Sequence, residues 1–137
     1  MVGRGVGGQQ WGTGVRSGMI CSYSANARSL IDNCTFAYNL VDAPKAAAGM
    51  TVALGRAKIR NSIFYGNFVS DRTTVGADVF VADGAYAEVD HSLFRENTRS
   101  YLSAENDSQL VKTGIVTGDP LFATAEESVT NALVSKA

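Results

Sequence analysis

The sequence predicts an all-β solenoid of about four coils, each 27–31 residues long. Three segments, 31–39, 59–67 and 89–97, share the pattern aliphatic-x-Asn/His-Cys/Ser-x-Phe-x-x-Asn. The final Asn residues of successive copies are 28 and 30 residues apart. Between the copies, Gly, Asn, Asp and Ser recur at short intervals, which is typical of alternating strands and turns. Such repeats bury the apolar face of each unit against the next one.

Alternation of side chains predicts short strands joined by turns within each unit. Ala57 and Ile59 face one side of a strand, and Ser62 and Phe64 face one side of another. The three-residue step from Ile59 to Ser62 breaks the alternation, so we expect a turn near Asn61, a residue type that tolerates left-handed backbone angles. Apolar residues do not recur at helical spacing in these segments. Each unit therefore forms three strands, one coil of a solenoid.

A further strand is predicted upstream of each copy. Segment 49–54 reads Gly-x-x-Val-x-Leu and segment 76–81 reads Gly-x-x-Val-x-Val. This alignment places Val52 beside Val79. It also puts Leu54 on the same inward face as Val52, because the two residues are two positions apart.

Stacking of the copies predicts continuous ladders inside the solenoid. Phe122 follows Phe94 by 28 residues, so it is expected to extend the aromatic ladder into a fourth coil. The predicted ladders are aromatic (Phe36, Phe64, Phe94 and Phe122), aliphatic (Ile31, Ile59 and Val89) and amide (Asn39, Asn67 and Asn97).

The chain divides into a Gly-rich lead-in at 1–17, coils at 18–123 and a tail at 124–137 that is predicted to form a short helix. The 12 basic and 13 acidic residues nearly balance, which argues against a nucleic-acid-binding surface. A lone stack of four coils exposes open sheet edges at both ends. We therefore expect a fragment of a longer solenoid, with neighbouring coils as partners.

The repeat motifs resemble those of a known family. The Asn-Cys-Thr-Phe and Asn-Ser-Ile-Phe-x-x-Asn motifs and the Gly-Asp-Pro-Leu-Phe segment at 118–122 are similar to right-handed parallel β-helix repeat proteins. These include polymorphic-outer-membrane-protein-like and autotransporter-like surface proteins and, more distantly, pectate-lyase-like enzymes. The resemblance covers about residues 18–123 and implies the fold, whose right hand follows from parallel crossovers. It does not select an activity, because this fold hosts binding, structural and catalytic proteins.

Localisation is expected to be extracellular or at the cell surface, on the basis of that resemblance. The sequence holds no apolar run of about 18 residues, the length of a membrane span. Its first residues lack the apolar core of a signal peptide, so either the export information lies outside this segment or the protein is not exported.

Two cysteines and one histidine are candidates for chemistry. Cys34 occupies the repeat position of Ser62, and Cys21 that of Val52, so both are predicted to be buried thiols rather than a disulfide. His91 occupies the position of an Asn in the other copies and is interpreted as a turn residue rather than a catalytic base. No His or Cys spacing indicates a metal site, and no cofactor is implied.

The outward charges form rows. Asp32, Arg60 and Asp90 lie in one row, and Lys58 lies beside Glu88 in a second. Alternating charges across neighbouring strands predict salt-bridge ladders, whereas glycoside hydrolysis needs a pair of carboxylates.

Other acids lie in predicted loops. Asp71, Asp78 and Asp83 are interpreted as solvated turn charges. The segment Thr98–Gln109, with Arg99, Glu105 and Asp107, is the longest between repeats and the candidate wall of a cleft.

Two classes of function remain after this reading. The first is a non-catalytic structural or binding segment of a secreted or cell-surface protein, with polysaccharides or cell-surface glycans as ligands. The second is a fragment of a polysaccharide lyase or glycoside hydrolase. No catalytic residue or metal ligand is assigned, and the candidate ligand-binding residues are Tyr65, Asp90, His91 and Arg95.

Overall fold

The computed structural model describes residues 20–21, 24–41, 47–69, 76–106 and 109–122, which form fourteen β-strands. Coil 1 contains β1 (Ile20–Cys21), β2 (Arg28–Asp32), β3 (Thr35–Ala37) and β4 (Leu40–Val41). Coil 2 contains β5 (Met50–Val52), β6 (Arg56–Arg60), β7 (Ile63–Tyr65) and β8 (Phe68–Val69). Coil 3 contains β9 (Val79–Val81), β10 (Tyr86–Asp90) and β11 (Leu93–Phe94). Coil 4 contains β12 (Leu102–Ala104), β13 (Leu110–Thr113) and β14 (Val116–Thr117).

Equivalent strands of successive coils pair in parallel. The first sheet has the order β1-β5-β9-β12, the second β2-β6-β10-β13 and the third β3-β7-β11-β14, while β4 and β8 form a two-stranded sheet. All of these pairings are parallel. The predicted all-β class and the parallel β-helix are thus confirmed. The predicted lead-in at 1–17 and tail at 124–137 lie outside the described residues.

The aromatic and aliphatic ladders form the core. The Phe64 ring stacks on Phe36 with centroids 4.7 Å apart and on Phe94 with centroids 5.0 Å apart, both at an interplanar angle of 7°. Ile59 pairs with Ile31 on one side and Val89 on the other. These side chains are buried, as the alternation of the sequence predicted.

One turn recurs on every coil between the second and third sheets. Its central residues, Asn33, Asn61, His91 and Gly114, all have positive φ angles, at 53°, 51°, 40° and 59°. The interpretation of His91 as a turn residue in register with asparagines is therefore confirmed. The left-handed conformation explains the residue types, because Asn and Gly adopt it at low cost.

Within the first sheet, Cys21 pairs with Val52 as predicted, but the predicted register of β5 against β9 is wrong by two residues. Val52 pairs with Val81, and Met50 pairs with Val79. Leu54 is exposed instead of lying on the inward face, because β5 ends at Val52 and Leu54 lies in the bend that follows. A shift of two residues keeps every side chain on the same face of a strand, so alternation alone does not distinguish the two registers.

Phe122 does not continue the aromatic ladder, contrary to the prediction. Thr117 pairs with Phe94 in the fourth coil, because that coil is shorter at this point than a 28-residue period implies. The Phe122 ring instead contacts Tyr65 edge-on, with centroids 6.3 Å apart.

The amide ladder has two of its three predicted members. The Asn39 side-chain amide donates to Asn67 Oδ1 at 2.9 Å, and both residues are buried. Asn97 is exposed and accepts a hydrogen bond from Lys112 Nζ at 2.9 Å. The physical reason is that residues after β11 form bends and turns, where coils 1 and 2 have β4 and β8.

The segment Thr98–Gln109 is not a loop wall, because it contains β12 of the first sheet. Arg99 and Glu105 on either side of this strand are exposed, and Asp107 lies outside the described residues.

The structure also differs from the predictions for one loop acid and one cysteine. Asp83 is exposed as predicted, but Asp78 is buried, with 1% of its surface accessible. Asp71 lies outside the described residues. Cys34 is an exposed free thiol rather than a buried one, since it lies at the end of its described ladder, whereas Ser62 has paired coils on both sides. Nothing is described of the Cys21 side chain.

Candidate functional site

The outward face of the second sheet carries three rows of side chains. Strands β2, β6 and β10 pair residue for residue, and their inward positions hold apolar residues such as Ile59. The outward positions therefore align across the coils. The rows are Arg28, Arg56 and Tyr86, then Leu30, Lys58 and Glu88, then Asp32, Arg60 and Asp90.

A groove of about 370 Å³ lies over the first two rows. Its lining residues are Arg28, Ser29, Leu30, Arg56, Ala57, Lys58, Tyr86 and Glu88. The lining thus combines three cationic side chains with one carboxylate, an aromatic ring and an aliphatic side chain. This composition favours a ligand that carries negative charge on a partly apolar body.

Two arginines face each other in the first row. Arg28 is the direct partner of Arg56 across the β2–β6 ladder. Like charges directly opposite each other destabilise a sheet, so the pairing of the two arginines does not by itself stabilise the β2–β6 ladder. The Arg56 guanidinium lies 5.3 Å from the centroid of the Tyr86 ring, a cation–π contact that orients it.

The second row contains a loose ion pair. Lys58 Nζ lies 3.5 Å from Glu88 Oε2, and about half of each side chain is exposed. Pairs of this kind contribute little to stability because water and salt screen them. Leu30, the neighbour of Lys58 on β2, is 60% exposed and gives the groove an apolar patch.

Asp32, Arg60 and Asp90 align in the third row as predicted, but Arg60 forms an ion pair with Asp32 and not with Asp90. Arg60 Nη2 lies 2.7 Å from Asp32 Oδ2, and this hydrogen bond lowers the pKa of Asp32 and raises that of Arg60. Asp90 contacts its neighbour His91 instead, with 2.5 Å between Oδ1 and Nδ1. Since Asp32 is held ionised, it is poorly suited to act as a general acid.

The structure brings together only two of the four predicted ligand-binding residues. Asp90 and His91 touch at the end of the third row, where the His91 ring packs beside Gly114. Tyr65 lies on the third sheet, half-buried between the Tyr38 and Phe122 rings. Arg95 follows β11 and is exposed.

The groove residues Arg28, Arg56 and Tyr86 were missed by the sequence reading. Each lies three residues before the aliphatic position that begins the repeat motif. Extending the alignment upstream by three residues would have placed the two arginines and the tyrosine in one row.

Metal binding has no support in the part of the chain that the structure describes. No group of three or more His, Cys, Asp or Glu residues there is arranged to hold a metal ion. The same described ranges contain no helix with the length and apolar character that a membrane crossing requires.

Comparison with known proteins gives one partial likeness. No protein-family model matches the chain, and no solved structure matches it. A stretch of 78 residues is 35% identical to metabotropic glutamate receptor-like protein R of Dictyostelium discoideum. The match covers 57% of this chain but 4% of that protein, so the chain spans only a small part of its relative.

Proposed function

We propose that this chain is a non-catalytic binding segment of a secreted or cell-surface β-helix protein, and that it holds acidic glycans in the groove of the second sheet. The observation that carries the proposal is the row of Arg28, Arg56 and Tyr86, in which two arginines face each other beside an aromatic ring.

The geometry of this row suits an acidic sugar. Neighbouring strands are about 4.8 Å apart, so the guanidinium groups of Arg28 and Arg56 can approach one carboxylate or sulfate from two sides. The guanidinium fork binds such groups with paired hydrogen bonds. Tyr86 and Leu30 add apolar surface for the face of the sugar ring.

The surrounding acids support binding over catalysis. On the described outward face of the second sheet, Asp32 contacts Arg60, Glu88 contacts Lys58, and Asp90 contacts His91. Glycoside hydrolysis instead uses two carboxyl groups set on either side of the scissile bond. The secreted or surface location is part of the proposal and rests on the resemblance of the repeat motifs to surface β-helix proteins.

The proposal is tested by titrating the whole chain calorimetrically with oligosaccharides of galacturonate, alginate and chondroitin sulfate, and with neutral dextran. We expect binding to the acidic oligosaccharides alone, weakening as salt is added. Arg28→Gln and Arg56→Gln should each weaken binding about tenfold, or about 1.4 kcal/mol.

The matched control is Arg95→Gln, which removes the same charge outside the groove and should leave binding unchanged. Equal losses in all three variants would indicate unspecific attraction and contradict the site. Cleavage of any oligosaccharide by the wild type would overturn the non-catalytic proposal in favour of a lyase or hydrolase fragment.

A further inference from the structure

A buried carboxyl group lies where the third coil begins. Asp78 directly precedes β9, and 1% of its surface is accessible. Its Oδ1 atom accepts a hydrogen bond from Asn67 Nδ2 at 2.7 Å. Its Oδ2 atom is buried and has no hydrogen-bond partner among the residues that the structure describes. A buried carboxylate with one unpaired oxygen is costly, so the uncharged form is favoured.

Asp78 is the meeting point of all four coils. Its side chain is bound by Asn67 of coil 2, whose Oδ1 in turn accepts from Asn39 of coil 1. Its backbone carbonyl accepts from Met50 N of coil 2 at 2.8 Å, and its backbone N–H donates to Tyr101 O before β12 at 3.0 Å. The carboxyl is thus bonded directly to coil 2 and, through Asn67, to coil 1, while the Asp78 backbone is bonded to coils 2 and 4.

We propose that Asp78 is a proton-controlled joint of the solenoid, closed when its carboxyl is neutral and loosened when the carboxyl ionises. Ionisation places an uncompensated charge against the Asn39–Asn67 pair and the start of β9. The expected response is local opening of the junction between coils 2 and 3, with the second sheet intact.

The described groups around Asp78 do not offset that charge. The turn before β8 presents the neutral amide of Asn67, the start of β5 presents Gly49 and Met50, and the turn before β12 presents the Tyr101 carbonyl. Tyr101 is the titratable residue among these, and it contacts Asp78 through its backbone. No hydrogen bond or ion pair links Asp78 to a cationic side chain among the described residues.

The pH window of the joint follows from its burial. Desolvation raises the pKa of Asp78 from 3.8 to about 7, against a smaller lowering by the Asn67 hydrogen bond. Between these two values the folded chain holds a proton that the unfolded chain has released. Stability should therefore fall as the pH rises from about 4 to about 7 and level off above that range.

Two measurements on the whole chain test the joint. The first follows the urea midpoint from pH 4.5 to pH 8 in the wild type, in Asp78→Asn and in the exposed control Asp83→Asn. The urea midpoint of the wild type and of the control should fall as the pH rises. The urea midpoint of Asp78→Asn should stay constant over this pH range. A flat wild type, or an Asp78→Asn variant that keeps the wild-type slope, would overturn the proposal.

The second measurement keeps the proposal testable if Asp78→Asn does not fold. Hydrogen exchange of the wild type, corrected for intrinsic rates, should show at least tenfold lower protection at pH 8 than at pH 5 in residues 66–69 and 76–82. Protection of β6 and β10 should change less. Uniform loss across all sheets, or a carboxyl NMR titration of Asp78 with a midpoint near 3.8, would contradict the joint.

Discussion

The Phe64 ring stacks on the Phe94 ring, with centroids 5.0 Å apart and planes 7° from parallel. This separation is close to the spacing of neighbouring strands, so the two rings follow the backbone ladder from one coil to the next. Phe64 has such a neighbour on both sides, since Phe36 stacks on its other face. The aromatic ladder thus holds coils 1, 2 and 3 in register.

Truncation of the central ring should be costly. Phe64→Ala removes a fully buried side chain with two stacked neighbours and should reduce the free energy of unfolding by about 3–5 kcal/mol. Tyr65→Ala is the control, because Tyr65 is half-buried and its ring meets the Tyr38 and Phe122 rings edge-on rather than stacked. In urea melts, Phe64→Ala should lose much more unfolding free energy than Tyr65→Ala. Equal losses would contradict the assignment of Phe64 to the inward face and Tyr65 to the outward face.

Substitution of Asn67 should destabilise the protein much more than substitution of Asn97. Asn67→Leu removes the hydrogen bonds to Phe36 O and Asp78 Oδ1 and leaves those buried oxygens without this donor. We expect a loss of about 2–5 kcal/mol in the free energy of unfolding, since each unpaired buried group costs about 1–3 kcal/mol. Asn97→Leu is exposed and should change stability by about 0.5 kcal/mol or less. Similar losses of stability in both variants would contradict the assignment of Asn97 to a different, exposed position and would support the predicted ladder of three asparagines.

Gly66 should resist substitution for two reasons. It has a φ of 66°, and an added Cβ would lie 2.6 Å from the Tyr38 ring. Gly84 has a φ of 80°, but no atom of the described residues lies within 4 Å of such a Cβ. Both alanine variants carry the backbone cost of about 1–2 kcal/mol, and Gly66→Ala should lose more because the ring must also move. Thermal melts in which Gly84→Ala is the less stable variant would contradict this packing.

The loss of folding stability at acidic pH should depend in part on Asp32. Arg60 lowers the pKa of Asp32, so this carboxylate contributes stability above its unfolded value of 3.8 that is lost as the pH falls through the folded value. Asp32→Asn should therefore be less stable than the wild type at pH 6, and the difference should shrink as the pH falls below 3.8. The difference should be small and sensitive to salt, because the pair is partly exposed. An unchanged urea midpoint at pH 6 and low salt would indicate that the ion pair does not contribute.

The sequence was sufficient for the features that repeat on every coil. The motif around Phe64 fixes both the strand faces and the turn at Asn61, because alternation and positive φ leave visible patterns in residue type. Val52 was misplaced because a two-residue slip preserves those patterns. Phe122 was misplaced because a fixed period does not reveal where a coil shortens.

The site was less predictable than the fold, for physical reasons. Arg28 and Arg56 lie upstream of the repeat motif, and they face each other only when β2 pairs with β6. The sequence predicts a solvated acid at Asp78, because aspartate is usually exposed. Its burial depends on backbone contacts to Met50 and Tyr101 from distant parts of the chain.

Chemical-shift mapping tests the proposed binding groove most directly. Backbone amide signals of the whole chain would be recorded while a galacturonate hexasaccharide is added at low salt. Binding in the groove predicts shifts confined to residues 28–30, 56–58 and 86–88, lost in Arg56→Gln and retained in Arg95→Gln. Shifts centred instead on Tyr65 or on Asp90 and His91, or shifts spread evenly over the surface, would contradict the groove as the binding site.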